Sequence, residues 1–474
     1  MSPPGSGRTP SGSRRRASVR AAPVPASPAR DVAARVLERV ETDASFADSV
    51  LEAELNSRRL EARDAALATE LVYGALRWQG YLDWILAPHS RRRLPSLDPR
   101  VRVLLRMTAY QIAFLERVPA FAAVNDAVTL APRSPGVSAF VNAVLRSFAR
   151  RGAREREPAP PRNPIDALAA RCSFPTWIVE RWVVRYGRDE AEALMRALNE
   201  RPPLTLRANR LRITREELGR RLADEDGLDS RRTRLAPEGL VVGPGGAPGE
   251  WRAFADGGFA VQDEASMLIA RLLAPEPGAT VADVCAAPGT KTTHLAELMD
   301  NRGRILAFDR EPTRLARVGE AAARLGISII DAREGPVESL AKDFPAACDG
   351  VLVDAPCSNL GVLRRNPEVK WRRQPSDIAL ASQRQREILG SAAAMVRPGG
   401  RLVYATCSLE PEENDDVARA FLAAKPEFRL DPPDDFPLPL DAGGWLRCLP
   451  HRHGTDGFSA VRFRRSEVSG ITTP

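Results

Sequence analysis

Four short apolar runs in the second half of this 474-residue chain each end on an aspartate, and their spacing limits the fold more than any other feature. The runs close on Asp283, Asp309, Asp331 and Asp354, spaced 26, 22 and 23 residues apart. Each interval suits a strand, a helix and the return to the next strand. The segment from about 261 to 465 is therefore expected to be α/β, a doubly wound and mostly parallel sheet. A fifth run, Arg401 to Ala405, leads into Thr406-Cys407, and Ser459 to Phe463 is expected as a final edge strand. In open sheets of this kind, ligands gather at the carboxyl ends of the strands. The residues that follow these runs are therefore the candidate site.

The first exit is a loop of small residues, Cys285-Ala286-Ala287-Pro288-Gly289-Thr290-Lys291. Ala286, Ala287 and Gly289 let the backbone come close to a ligand, and Pro288 stiffens the turn. Neither the phosphate-loop spacing nor the G-x-G-x-x-G dinucleotide pattern is present in this turn. Two later exits each deliver a cysteine: Asp354-Ala355-Pro356-Cys357 and Thr406-Cys407-Ser408. Two thiols at strand exits, one of them three residues after a carboxylate, suggest covalent catalysis.

The segments FAVQDEAS (259–266), DVCAAPGTKT (283–292), DAPCSNLGVLRRNPEVKW (354–371) and YATCSLEPEEN (404–414) together resemble the Sun-type RNA cytosine-C5 methyltransferases, of the RsmB kind that acts on 16S rRNA. Residues from about 30 to 150 separately resemble the helical RNA-binding protein NusB, an arrangement that this family shares. The resemblance implies a Rossmann-like domain dependent on S-adenosylmethionine (SAM), preceded by an all-α NusB-like domain. Two departures concern loop detail. Thr290 stands where the family usually has a second glycine, and Asn359-Leu360 replaces the usual Gly-Thr.

The residues suit SAM on physical grounds. The helix expected from about Thr292 offers free N–H groups to the methionine carboxylate. Asp309 can accept both ribose hydroxyls, and Asp331 is expected beside the adenine edge. The expected cofactor set is Cys285, Ala286, Ala287, Pro288, Gly289, Thr290, Lys291, Asp309, Asp331 and Asp354. A single strand-end aspartate more often caps the next helix. Three at successive exits beside an Ala-Pro-Gly loop favour a SAM site.

The two cysteines suit a pyrimidine. Carbon 5 of cytosine is a poor nucleophile, and addition of a thiolate at carbon 6 activates it. The reaction needs a nucleophile, an acidic group near N3, and help in releasing the thiolate. Cys407, Asp354 and Cys357 match these needs. By resemblance, Cys407 is the nucleophile and Cys357 assists release. Alternatives are the same chemistry on tRNA or large-subunit rRNA, or a non-catalytic RNA-binding assembly factor; the intact Cys407, Cys357 and Asp354 argue against the last. Cys172, Cys348 and Cys448 are expected in the core. Six cysteines without a C-x-x-C pair give no support to a zinc site, so no metal is expected.

Along the chain, residues 1–28 are expected as a disordered basic tail, 29–150 as the NusB-like domain and 151–162 as a linker. Residues 163–260 are expected as a small α/β region before the catalytic part, and 466–474 as a C-terminal tail. The net charge of +8 favours polyanionic partners. Only four of the 69 basic residues are lysine, so the total is weaker evidence than the position of the charge. Arg364-Arg365 and Lys370-Trp371-Arg372-Arg373, directly after the Pro-Cys loop, are expected to contact RNA. No apolar run is long enough to span a bilayer and no signal-peptide core is evident. The expectation is a cytoplasmic monomer acting on small-subunit rRNA.

Overall fold

The computed structural model describes residues 26–43, 45–150 and 157–467. The calls on the basic tail and the C-terminal tail lie outside the described residues, apart from 26–28 and 466–467; of the linker call, 151–156 lie outside them and 157–162 belong to no helix or strand. Helices Pro28–Thr42, Ala47–Arg58, Ala62–Arg77, Gln79–Leu86, Pro99–Phe114, Ala120–Leu130 and Val137–Ala149 come first. Val32, Val36, Leu37 and Val40, at helical spacing, are buried against Leu71, Val72 and Leu104 in one core. Between the fourth and fifth of these helices the chain makes only two short helical turns, Ala87–His89 and Leu94–Ser96. Asp98 caps the helix that follows, accepting from the Arg100 N–H at 2.9 Å.

Three further helices, Pro164–Cys172, Thr176–Tyr186 and Arg188–Leu198, lead into a small antiparallel sheet. Its strands are β1 (Leu204–Ala208), β2 (Ser230–Arg232), β3 (Gly239–Val242) and β4 (Phe259–Val261), in the order β2-β3-β1-β4.

The second sheet carries the site. Its strands are β5 (Thr280–Asp283), β6 (Arg304–Asp309), β7 (Ile330–Glu334), β8 (Cys348–Asp354), β9 (Val396–Thr406), β10 (Phe428–Leu430), β11 (Trp445–Cys448) and β12 (Phe458–Arg465). The order is β10-β12-β9-β8-β5-β6-β7, with β11 also paired to β12. Strands β9, β8, β5, β6 and β7 are mutually parallel. The apolar run Val351 to Val353 is fully buried because helices cover both faces. The chain runs outward from β5 to β7 and then crosses back to β8 on the other side of β5. That reversal opens a crevice between the exits of β5 and β8, where a ligand site is expected in such sheets.

Three expectations need correction. Asp331 does not end its strand: it is the second residue of β7, opposite Leu306, and Glu334 stands opposite Asp309 at the exit. β7 is the sheet edge, so its sequence is polar and an apolar-run reading stops short of its true end. β12 is not an edge strand. It pairs with β9 on one side and with the short β10 and β11 on the other.

The third correction concerns the basic stretch after the Pro-Cys loop. Arg364 is buried and pairs with Asp456 at 2.6 Å and Asp263 at 3.3 Å; Arg365 pairs with the same two carboxylates. Lys370 is buried and donates to the Arg77 carbonyl at 2.7 Å and to Asn199 at 2.9 Å. The indole N–H of Trp371 donates to the Leu76 carbonyl, and Arg372 donates to the carbonyls of Val40 and Ser45. This segment is the seam between the helical domain and the cysteine loop. Its charge is consumed by backbone carbonyls and buried carboxylates. The fit is close: a Cβ on Gly80 would lie 2.5 Å from the Trp371 ring.

Among the described residues, no helix is long and apolar enough to cross a membrane. Trp371→Ala should remove the ring that fills this seam and cost about 2–4 kcal/mol. Denaturant unfolding of the full chain checks this; an unchanged midpoint would mean that the ring does not hold the two parts together.

Candidate active site

The loop after β5 is shaped by backbone bonds. The Ala286 N–H donates to the Phe308 carbonyl at 2.9 Å, and the Gly289 N–H to the Ala286 carbonyl at 2.8 Å. Gly289 has φ +101°, and a Cβ there would lie 3.0 Å from the Val318 backbone. Glycine is required at that position. Thr290 is already the first residue of helix Thr290–Leu298, so no second glycine is needed. Asp309 braces the loop from the β6 exit: one carboxylate oxygen accepts from the Ala287 N–H at 3.2 Å and the other from the Glu311 N–H at 3.0 Å.

Behind the loop lies Asp283. One carboxyl oxygen accepts from the Thr292 hydroxyl at 2.7 Å; the other is buried with no partner. Burial pushes its pKa up to about 7, the Thr292 bond opposes this, and the charge of Asp354 adds to it. The close-approach loop, the helix start and an unsatisfied buried oxygen fit a small ligand that carries both an anionic group and a hydrogen-bond donor.

Lys291 turns from the loop toward the β8 exit and donates to Asp354 at 2.7 Å. Its Nζ also lies 4.9 Å from the centre of the Phe458 ring. Burial works against the ammonium, but Asp354 outweighs it and raises the pKa. Beyond Asp354, the β8 and β9 loops bring Cys357 and Cys407 together with 3.2 Å between sulfurs. Both thiols reach the Asn359 side-chain oxygen, Cys407 at 3.1 Å and Cys357 at 3.4 Å. Asn359 has φ +64°, a left-handed conformation that asparagine tolerates better than most residues. The hydrogen bond shared with Cys407, and then burial, push the Cys357 thiol well above its ordinary pKa.

Asp283, Lys291, Asp354, Cys357 and Cys407 therefore meet at one end of the sheet, with the Cys285 to Thr290 loop and Asp309 beside them. Asp331 lies apart, held by Arg304 at 2.6 Å and Arg333 at 3.0 Å. Sequence reasoning missed Asn359 as a thiol partner. Its only signal was that it stood where a glycine was expected. The Cys285 thiol is pushed well up by burial, which fits an inert side chain in a loop that works through its backbone. Among the described residues, all six cysteines are free and no group of three His, Cys, Asp or Glu is placed to hold a metal.

Sheet, loop and thiol pair together define a methyltransferase built on a Rossmann-like sheet. Residues 270–464 match the family model of the 16S rRNA methyltransferase RsmB/F, residues 27–150 that of the NusB family, and residues 174–245 that of the ferredoxin-like domain of RsmF/B-like methyltransferases. The chain is 37% identical over 444 residues to a probable ribosomal RNA small subunit methyltransferase B of Bacillus subtilis, covering 92% of this chain and 98% of that one. The ribosomal RNA small subunit methyltransferase B of Pseudomonas putida is 36% identical, with 90% and 96% covered. The crystal structure of PH0851 aligns with TM-score 0.80 at 32% identity, covering 92% of this chain and 99% of that one. NSun6 from Pyrococcus horikoshii, solved with SFG, aligns with TM-score 0.56 at 26% identity, covering 62% and 99%. The chain belongs to the RsmB/F family of SAM-dependent 16S rRNA methyltransferases, with a NusB domain ahead of the methyltransferase part.

Asp283 gives the site a pH signature. The native state keeps a proton that the unfolded chain has released above about pH 4. Its contribution to stability is therefore complete below that pH and is lost as the pH rises toward about 7. Asp283→Asn should gain on the parent by on the order of 2–4 kcal/mol between about pH 5 and pH 8. Thermal unfolding at the two pH values measures this. A pH-independent difference would show that Asp283 is charged in the fold.

Proposed function

We propose that this protein forms 5-methylcytosine in small-subunit ribosomal RNA through a covalent bond between Cys407 and carbon 6 of the base. The observation that carries the reading is the 3.2 Å contact between the Cys357 and Cys407 sulfurs, beside the Asp354–Lys291 pair at the same strand exit. The Cys407 thiolate adds to carbon 6. The displaced π electrons move toward N3 and the carbonyl, where N3 takes a proton passed from the Lys291 ammonium through Asp354 and later returned the same way. Lys291 holds that carboxyl in place. Carbon 5, now electron-rich, takes the methyl group. Loss of the carbon 5 proton to solvent water and expulsion of the Cys407 thiolate restore the aromatic ring. Cys357, held protonated by its neighbours, assists release.

SAM supplies an electrophilic methyl group when bound. The Cys285 to Lys291 loop is assigned to its methionine part, with the free oxygen of Asp283 available to the amino group, and Asp309 to the ribose. For the adenine edge we assign the β7 exit at Glu334 in place of Asp331. The NSun6 relative solved with SFG, a SAM analogue, supports SAM as the cofactor. The relatives named as small-subunit rRNA enzymes, together with the NusB domain, support the choice of RNA and a cytoplasmic place of work.

Asp309→Ala should weaken SAM binding by about 1–3 kcal/mol, because the loop N–H of Ala287 and the ligand hydroxyls both lose their acceptor. Calorimetry on the folded variant is the check, and unchanged affinity would reassign the ribose site. The thiols should separate cleanly. Cys407→Ala should abolish methylation and give no covalent complex. Cys357→Ala should retain addition and methyl transfer but not release, leaving an RNA–protein adduct in denaturing electrophoresis that needs SAM to form. Accumulation in Cys407→Ala instead would reverse the roles.

A further inference from the structure

Glu413 is fully buried, and nothing in the reaction as drawn uses it. It lies in the short helical turn Pro411–Glu413 after β9, with its side chain between the two cysteine loops. One carboxylate oxygen accepts from the backbone N–H of Ser358 at 2.8 Å and from Gln385 at 3.1 Å. The other accepts from the Ser358 hydroxyl at 2.5 Å and from the Ser408 hydroxyl. Ser358 directly follows Cys357, and Ser408 directly follows Cys407. The two serine hydroxyls also lie 3.1 Å from each other. Gln385 donates in turn to the Pro356 carbonyl at 3.0 Å, on the other side of Cys357. The Glu413 carbonyl accepts from the Tyr404 hydroxyl, which ties the turn to β9 itself.

A buried carboxylate whose hydrogen-bond donors are all neutral is an expensive way to join two loops. A neutral amide has one acceptor oxygen where the carboxylate has two, so it cannot accept from both pairs of donors without shifting a loop. We propose that Glu413 is a positioning residue: it fastens both cysteine loops to one buried side chain and so sets the separation and the electrostatic surroundings of the two thiols. The proposal rests on the two-thiol reading above. The groups facing Cys357 are Cys407, Glu413 and the phenol of Tyr404. Glu413 adds to the upward push on the Cys357 thiol, after Cys407 and burial.

The test uses the full chain with Glu413→Gln and Glu413→Asp. It measures turnover with SAM on small-subunit rRNA, and the pH dependence of iodoacetamide alkylation at Cys357 resolved by peptide mass spectrometry. Glu413→Gln should lower kcat about a hundredfold, the scale for a misplaced reacting group. KM for SAM should stay within about twofold, since ground-state binding of the cofactor is untouched. The midpoint of Cys357 alkylation should move to lower pH. Glu413→Asp keeps the charge and should hold that midpoint near the parental value. Parental turnover in folded Glu413→Gln overturns the proposal. So does lost turnover with an unmoved Cys357 midpoint, which would make the residue merely structural. If Glu413→Gln does not fold, the Ser358→Ala/Ser408→Ala double variant replaces it; loss of kcat with KM for SAM within about twofold supports the proposal, and parental kcat, or kcat lost together with SAM binding, overturns it. Activity persisting in Cys407→Ala would sink the two-thiol reading instead, and the alkylation profile would still decide whether Glu413 controls Cys357.

Discussion

Asp354 lies opposite Ala405 in the parallel ladder between β8 and β9, and that register sends both cysteine loops out of the sheet side by side. A parallel neighbour displaced by one residue would present the opposite face at the exit and part the thiols. The loops then lock on each other beyond the sheet. The Gly361 N–H donates to the Cys407 carbonyl at 2.8 Å, and the Gly457 N–H to the Gly361 carbonyl at 2.9 Å. A Cβ on Gly361 would meet the Gly457 carbonyl oxygen at 2.3 Å, so two backbones pass where no side chain fits.

Each accessory region braces one half of the site. Arg207, on β1 of the small sheet, is fully buried and pairs with Glu297 at 2.7 Å. It also donates to the Thr290 carbonyl at 2.7 Å, at the start of the cofactor-loop helix. The helical domain grips residues 368–372 after the cysteine loop, and Arg373 donates back to the Ser358 carbonyl at 3.0 Å. Buried ion pairs of this kind are weak evidence for stability, since desolvation offsets much of the attraction. What they do supply here is orientation: one brace for the cofactor loop and one for the thiols.

Much of this was legible in the sequence because it depends on local pattern. Apolar runs that end in aspartate located β5, β6 and β8, and small residues marked the loop after β5. The two cysteines could be assigned to one place because parallel strands share an exit. Other features depended on long-range partners that a sequence does not display. Arg364, Lys370 and Arg372 look like solvent-facing charge until Asp263, Asp456 and the carbonyls of Val40 and Arg77 come into contact with them. The exit of β7 was misread because an edge strand needs no apolar alternation. The environment of Glu413 was invisible because its donors come from Ser358, Gln385 and Ser408, up to 55 residues away.

The central claim is that Cys407, and not Cys357, bonds to the base. Small-subunit rRNA carrying 5-fluorocytidine tests it in the unmodified protein. Fluorine at carbon 5 cannot leave as a proton does, so the methylated ring stays attached to whichever sulfur attacked it. Peptide mass spectrometry of the trapped complex should place the nucleotide on Cys407, and only when SAM is present. A nucleotide on Cys357, or no adduct from a protein that methylates the normal RNA, would contradict the account.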